Sequence, residues 1–78
     1  MGAKVRLLGP LRQYQPEADE QDVWIVPAGT TVKQLFDQTK LDDLPWEITV
    51  TLNGAGVLRR YELKDDDELV FTALFLGG

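Results

Sequence analysis

The sequence predicts an α+β domain in which a mixed sheet of four to five strands packs against one helix. Three observations predict this class. Apolar and polar residues alternate in several short segments, as they do in half-buried strands. One segment near the middle instead repeats its apolar residues with the period of an α-helix. The chain has 78 residues, which is enough for one domain, so residues 1–78 are predicted to form a single unit.

Two strands are predicted in the first third of the chain. Lys4–Leu8 alternates basic and apolar residues before Gly-Pro ends the run, which indicates a half-buried strand. Asp22–Val26 is rich in β-branched and aromatic residues, which favour strands, and we expect Trp24 and Val26 to face the core. The acidic stretch Gln15–Gln21 between them is expected to be a solvated surface loop. The two strands are expected to pair antiparallel.

Residues 30–39 are predicted to form the helix. Thr31 is followed three residues later by Gln34, which is the spacing of a capping box that satisfies free backbone groups at a helix start. Four residues at helical spacing form one stripe that is expected to face the core. They are Val32, Leu35, Phe36 and Thr39.

The last part of the chain is predicted to return to the sheet three times. Glu47–Leu52 alternates throughout, and Asn53–Gly56 is a turn whose residues tolerate positive φ. Val57–Tyr61 is predicted to be a short strand. Three aspartates, residues 65–67, lack the ligand spacing of a calcium loop and are expected to form a surface turn. Glu68–Thr72 is predicted to be the final strand.

The inward faces of the later strands follow from the same alternation. In the third strand, Ile48, Val50 and Leu52 are expected to face the core. In the last strand, Leu69 and Phe71 are expected to face inward, with Val70 and Thr72 on the opposite face. If the first and last strands lie side by side and parallel in the middle of the sheet, both are buried. This arrangement is the β-grasp fold.

Composition excludes several classes of function. The net charge is −5, whereas nucleic acids and anionic membranes bind basic surfaces. An acidic domain is better suited to a protein partner with a basic surface. The chain has no cysteine and no histidine, which removes the side chains of most nucleophilic and metal-assisted catalysis. We therefore expect a protein that is not an enzyme by itself. Neither a signal peptide nor a membrane-spanning stretch is visible, so a cytoplasmic location is expected.

Several segments, taken in order, resemble the ThiS/MoaD family of ubiquitin-like sulfur carriers. Val5–Arg12 is similar to the opening strand and turn of that family, and Val26–Leu35 to its strand-to-helix connection. Val50–Gly54 resembles its middle strand and "V-N-G" turn. Leu63–Phe71 resembles "L-x-D-G-D-E-V", and the sequence closes on Gly77-Gly78.

The chain departs from the family pattern at two places. Asp66 stands where the family usually has glycine, so a different turn conformation is expected there. Residues 72–76 lack the proline that many molybdopterin-type members carry before the end of the chain. Because of the second departure, the resemblance does not decide whether the chain would supply sulfur for molybdopterin or for the thiazole of thiamine.

The resemblance implies that the C-terminal carboxylate is the functional group. An E1-like adenylyltransferase would adenylate Gly78 with ATP and Mg²⁺, and a sulfur donor would convert the adenylate to a thiocarboxylate. An acceptor synthase subunit would then receive the sulfur. Gly77 and Gly78 have no Cβ and can enter a narrow channel. No cofactor would be bound stably by the carrier itself, and residues from about 73 to 78 would form a flexible diglycine tail.

Docking onto those partners is expected to use apolar residues beside the tail. The candidates are Val70, Thr72, Leu74, Phe75 and Leu76. The free carrier is expected to be a monomer. The alternative hypothesis is a ubiquitin-like protein-binding module that does not transfer sulfur and whose diglycine is incidental.

One basic pair, Arg59-Arg60, lies near the predicted sheet. Two interpretations are open for it. The pair either contacts acidic residues of a partner or balances Glu62 and Asp65 of the same chain, and the second interpretation is slightly favoured.

Overall fold

The computed structural model describes residues 2–16 and 21–74, with Leu74 described by its main chain alone. The strands are β1 (Ala3–Leu7), β2 (Trp24–Val26), β3 (Glu47–Leu52), β4 (Ala55–Gly56) and β5 (Glu68–Leu74). The described part contains one α-helix, α1 (Val32–Thr39), and two short 3₁₀ helices, Gly9–Tyr14 and Leu41–Asp43.

The strands form one five-stranded mixed sheet in the order β2-β1-β5-β3-β4. β1 and β5 run parallel in the middle, with Leu7 opposite Phe71. Their other neighbours, β2 and β3, run antiparallel to them. The predicted placement of the first and last strands is confirmed, as is the α+β class with a mixed sheet and one helix.

Helix α1 covers the centre of the sheet with its apolar stripe. Phe36 contacts Phe71 of the central strand edge to face, with 5.3 Å between ring centroids. The predicted capping box is present, since the Gln34 N–H donates to Thr31 Oγ1 at 3.1 Å and the Thr31 N–H donates to Gln34 Oε1 at 2.8 Å. All four predicted stripe residues are buried: Val32, Leu35, Phe36 and Thr39.

The burial of most strand faces agrees with the alternation in the sequence. Trp24 and Val26 are buried as predicted, and Ile25 between them is 48% exposed. Leu69 and Phe71 are fully buried. In β3, however, the three predicted inward residues only pack against the margin of the core and stay half-exposed: Ile48, Val50 and Leu52. β3 lies next to the short edge strand β4, so its inner face has fewer neighbours.

The predicted strand at Val57–Tyr61 is wrong. Asn53 and Gly54 have φ values of 50° and 88°, which is the signature of the two-residue hairpin turn. The returning strand therefore starts at Ala55 and ends after Gly56. The next residues leave the sheet and bind the start of α1.

Residues 57–61 complete the hydrogen bonding of the helix start. The first amides of an α-helix have no partner within the helix. The carbonyl of Arg59 accepts from the Lys33 N–H at 2.8 Å, and that of Tyr61 accepts from the Val32 N–H at 3.1 Å. A segment that caps the helix in this way cannot also pair with β3.

The turn before β5 keeps a left-handed residue at the position where glycine was expected from the resemblance. Asp66 has a φ of 68°. The Asp67 N–H donates to the carbonyl of Lys64 at 3.1 Å, so Asp66 is the third residue of a four-residue turn, where a positive φ usually selects glycine or asparagine. Asp66 therefore adopts the conformation that glycine favours, and its presence does not by itself require a different turn.

The last strand is longer than predicted. β5 continues through Ala73, opposite Ile48, and reaches Leu74, opposite Glu47. The sequence predicts an end of this strand at Thr72 and a tail from about residue 73. Ala73 and the main chain of Leu74 instead belong to the sheet.

Candidate docking face and C-terminal segment

The residues predicted to carry the chemistry follow directly after β5. The described residues do not include Gly77 and Gly78, nor the predicted docking residues Phe75 and Leu76. The structure does define the strand that leads to them: β5 pairs with β1 as far as Phe71 and with β3 as far as Leu74. The main chain is therefore positioned up to the residue before Phe75.

Two of the predicted docking residues lie on the outer face of the sheet, opposite α1. Val70 and Thr72 alternate with buried residues of β5 and are themselves half-buried. Val70 lies between Arg6 of β1 and Thr51 of β3, and Thr72 lies opposite Thr49. We call these five residues the outer-face patch. The patch covers the outer face of β5 from Val70 to Thr72, together with the neighbouring residues of β1 and β3.

The outer-face patch has a basic side. Arg6 is exposed, and Lys4 precedes it by two residues on the same face of β1. Lys4 lies opposite Glu68 on one side and Ile25 on the other. The chain carries a net charge of −5, so this side differs in sign from the whole domain. The patch can therefore offer a partner a small apolar centre next to cationic side chains.

Asp67 joins three segments on the inner side of the sheet, a role that the sequence did not predict. The residue was expected in a surface turn but is only 9% exposed. Its carboxylate accepts hydrogen bonds from the Tyr61 hydroxyl at 2.8 Å, the Lys64 N–H at 2.9 Å and Asn53 Nδ2 at 3.3 Å. Asn53 Oδ1 in turn accepts from the Glu68 N–H at 2.9 Å. This network ties the β3–β4 turn to the start of β5.

The same contacts shift two pKa values. Burial alone would raise the pKa of Asp67. The hydrogen bonds from the Lys64 N–H, the Tyr61 hydroxyl and the Asn53 amide together outweigh burial and hold the pKa below its usual value. The hydrogen bond to Asp67 raises the pKa of Tyr61, because it favours the protonated phenol.

Alternation in the sequence contained the signal for Asp67. Successive side chains of a strand point to opposite faces. Asp67 lies two residues before Leu69 and four before Phe71, so it shares their inward direction. The two neighbouring aspartates obscured this signal, because a run of like charges is usually a solvated turn.

The two residues of the basic pair, Arg59 and Arg60, lie in different environments. The favoured interpretation, that the pair balances Glu62 and Asp65, is wrong for Arg59. Arg59 pairs with Asp42, with two nitrogen–oxygen distances of 2.8 Å, and not with Glu62 or Asp65. Its guanidinium also lies over the ring of Phe36, 3.9 Å from the centroid. The hydrogen bonds to Arg59 lower the pKa of Asp42, and those to Asp42 raise the pKa of Arg59. Arg60 is exposed.

The described residues offer no arrangement for a metal centre. Within residues 2–16 and 21–74, no three side chains among His, Cys, Asp and Glu are grouped so as to hold a metal ion. None of the helices in the same part of the chain combines the length and the apolar character that crossing a bilayer requires.

Comparison with known proteins adds no further assignment. No model of a known protein family matches the chain, and no curated protein matches it.

Proposed function

We propose that this chain is a β-grasp sulfur carrier of the ThiS/MoaD type. The observation that carries the proposal is the path of β5. A parallel central strand, buried against Phe36 of the helix, runs to Leu74, and the sequence then continues through Phe75 and Leu76 to Gly77-Gly78. A rigid strand followed by two residues without side chains is what a carrier needs to present a carboxylate to other proteins.

The chemistry of the proposal takes place on the backbone carboxylate of Gly78. An E1-like adenylyltransferase directs a carboxylate oxygen to the α-phosphorus of ATP, with Mg²⁺ held by that enzyme, and pyrophosphate leaves. A sulfur donor then supplies sulfide, which attacks the acyl carbon and displaces AMP to give the thiocarboxylate. The absence of cysteine and histidine from the chain is compatible with this scheme, because the partners supply the acids and bases.

The position of Leu74 limits how far the Gly78 carboxylate can reach. The main chain of Leu74 is paired with Glu47, and residues 75–78 connect it to that carboxylate. At full extension they span roughly 13 Å. The activating enzyme must therefore approach closely, and the outer-face patch around Val70 and Thr72 is the surface that we assign to this contact.

Reconstitution tests the proposal. The full chain is incubated with ATP, Mg²⁺, a sulfur donor and the E1-like enzyme of either the molybdopterin or the thiamine pathway. We expect ATP–pyrophosphate exchange that depends on the chain, and a mass gain equal to the replacement of one oxygen by sulfur. A chain that lacks Gly78 is the control and should show neither. If the intact chain supports no exchange with either enzyme, the proposal is wrong.

The alternative is a ubiquitin-like binding module without sulfur transfer. The observation that favours it is that Val70 and Thr72 lie in the sheet itself, so a partner can bind the patch without the diglycine. Deletion of Gly77 and Gly78 separates the two functions. A binding module keeps its affinity for its partner after the deletion, whereas a sulfur carrier loses adenylation completely.

A further inference from the structure

One side of β3 is open along most of its length in the part of the chain that the structure describes. β3 pairs with β5 from Glu47 to Leu52. On its other side it pairs with β4 only at Thr51 and Leu52. The chain leaves the sheet after Gly56, because the following residues cap α1. Among the described residues, Glu47–Val50 therefore has a strand neighbour on one side only.

The backbone groups that point to this open side can be identified. The Asn53 N–H donates to the carbonyl of Glu68 at 2.8 Å, so the backbone groups of Asn53 point toward β5. In an antiparallel pair these groups alternate in direction along the strand. The N–H and C=O groups of Ile48 and Val50 therefore point to the open edge. An exposed row of such groups is a template for another extended chain.

A groove lies beside this edge, at the end where β4 leaves. It has a volume of about 510 Å³ and is lined by Leu52, Gly56, Val57, Leu58, Arg60 and Tyr61. Leu58 is 63% exposed, and the half-exposed inner side chains of β3 continue the apolar surface past the groove. Arg60 is exposed, and among the described residues it has no ion pair.

We propose that the open edge of β3 binds an extended peptide segment of another protein. The segment pairs with Ile48 and Val50 in the position that a longer β4 would occupy. Its alternate side chains are apolar and rest on the groove and on the half-exposed residues of β3. An acidic side chain of the segment reaches Arg60. Backbone pairing supplies affinity and the pockets supply specificity in this mode of recognition.

Charge favours an acidic–apolar peptide over a second copy of this chain. The exposed charge in the groove is the guanidinium of Arg60, so the complementary ligand is anionic. In a second copy, Glu47 is the only acidic residue of the pairing strand, so a copy would bring one carboxylate to the edge, whereas a peptide can carry several. Two copies would also bring together two domains of charge −5, which opposes association. This proposal does not depend on the sulfur-carrier function.

Amide chemical shifts of the ¹⁵N-labelled full chain test the proposal. The probe is acetyl-Thr-Val-Thr-Val-Thr-Val-Glu-Glu-amide, together with the same residues in reverse order, since a sheet edge accepts either strand direction. We expect saturable shifts of the Ile48 and Val50 amides with at least one of the two peptides. N-methylation of two alternate peptide amides removes donors to the edge and should weaken binding at least about tenfold.

Two substitutions examine the groove, and one serves as a matched control. Leu58→Ser and Arg60→Glu change exposed residues, and each is expected to weaken binding about fivefold. Ile25→Ser changes a similarly exposed apolar residue on the opposite edge strand and should leave binding unchanged. Replacement of both glutamates of the peptide by lysine should weaken binding as Arg60→Glu does.

Four results would overturn the proposal. The first is the absence of shifts at Ile48 and Val50 with both peptides. The second is binding that is insensitive to N-methylation, and the third is shifts confined to the outer-face patch. The fourth is concentration-dependent shifts of the same amides without peptide, which would show that a second copy occupies the edge.

Discussion

Replacement of Asp67 by Asn is expected to lower the free energy of unfolding by about 2 kcal/mol. Asp67 is 9% exposed, and its carboxylate accepts hydrogen bonds from Lys64, Tyr61 and Asn53. An amide at this place has one accepting oxygen, and its NH₂ group would face other donors. At least one part-buried donor then loses its partner. The hydrogen bond from Asn53, at 3.3 Å the longest of the three, is expected to contribute least to the free energy of unfolding.

The same substitution should flatten the dependence of stability on acid pH. The pKa of Asp67 is lower in the folded chain than its usual value, so the unfolded chain binds the proton more tightly. The stabilisation is then fully present above the unfolded pKa of about 3.9 and is lost as the pH falls through the folded pKa. We expect the native chain to lose this contribution from about pH 4 downward, and Asp67→Asn to lack it at every pH.

Urea denaturation followed by the fluorescence of the buried Trp24 measures both effects. With a slope near 1 kcal/mol/M, a loss of about 2 kcal/mol lowers the midpoint by about 2 M. Asp65→Asn is the matched control, because Asp65 is exposed, and it should change stability by less than about 0.5 kcal/mol. If the two variants differ by less than that amount, the network around Asp67 does not stabilise the fold.

Three further substitutions probe the backbone and the helix contact. In thermal denaturation, Gly2→Ala should destabilise by about 1–2 kcal/mol, because its Cβ would press on the carbonyl of Val26. Gly56→Ala is the control and should be close to neutral, because its Cβ would meet open space. Asp66→Gly should stabilise by up to about 1 kcal/mol in urea, because φ is 68° there; a loss of stability would contradict the left-handed turn. Arg59→Ala should cost about 1 kcal/mol, since it removes an exposed ion pair with Asp42 and the contact of the guanidinium with the Phe36 ring; a melting temperature equal to that of the native chain would rule out the contact.

The strands could be predicted where buried and exposed residues alternate along the chain. The alternation of Lys4–Leu8 and Glu68–Thr72 identified both central strands, and their placement side by side was expected because it buries both. Local signals also predicted the helix, because the capping box of Thr31 and Gln34 involves residues three apart. These features depend on neighbours in sequence, which the sequence displays directly.

The features that were not predicted depend on residues far apart in the chain. Val57–Tyr61 has a composition compatible with a strand, and only its hydrogen bonds to the start of α1 remove it from the sheet. Arg59 and Asp42 are 17 positions apart, and no local pattern joins them. Asp67 had a local signal in its alternation with Leu69, but its partners come from two other segments.

The C-terminal peptide of the endogenous protein tests the central claim most directly. Trypsin cleaves after Lys64, and residues 65–78 contain no further Lys or Arg, so they lie in one tryptic peptide whose mass can be measured from cells. The sulfur-carrier account predicts that this peptide ends at Gly78 and that a fraction of it carries one sulfur in place of oxygen, located on Gly78 by fragmentation. A peptide that continues past Gly78 in all molecules, or one that never carries sulfur while the pathway is active, would contradict it.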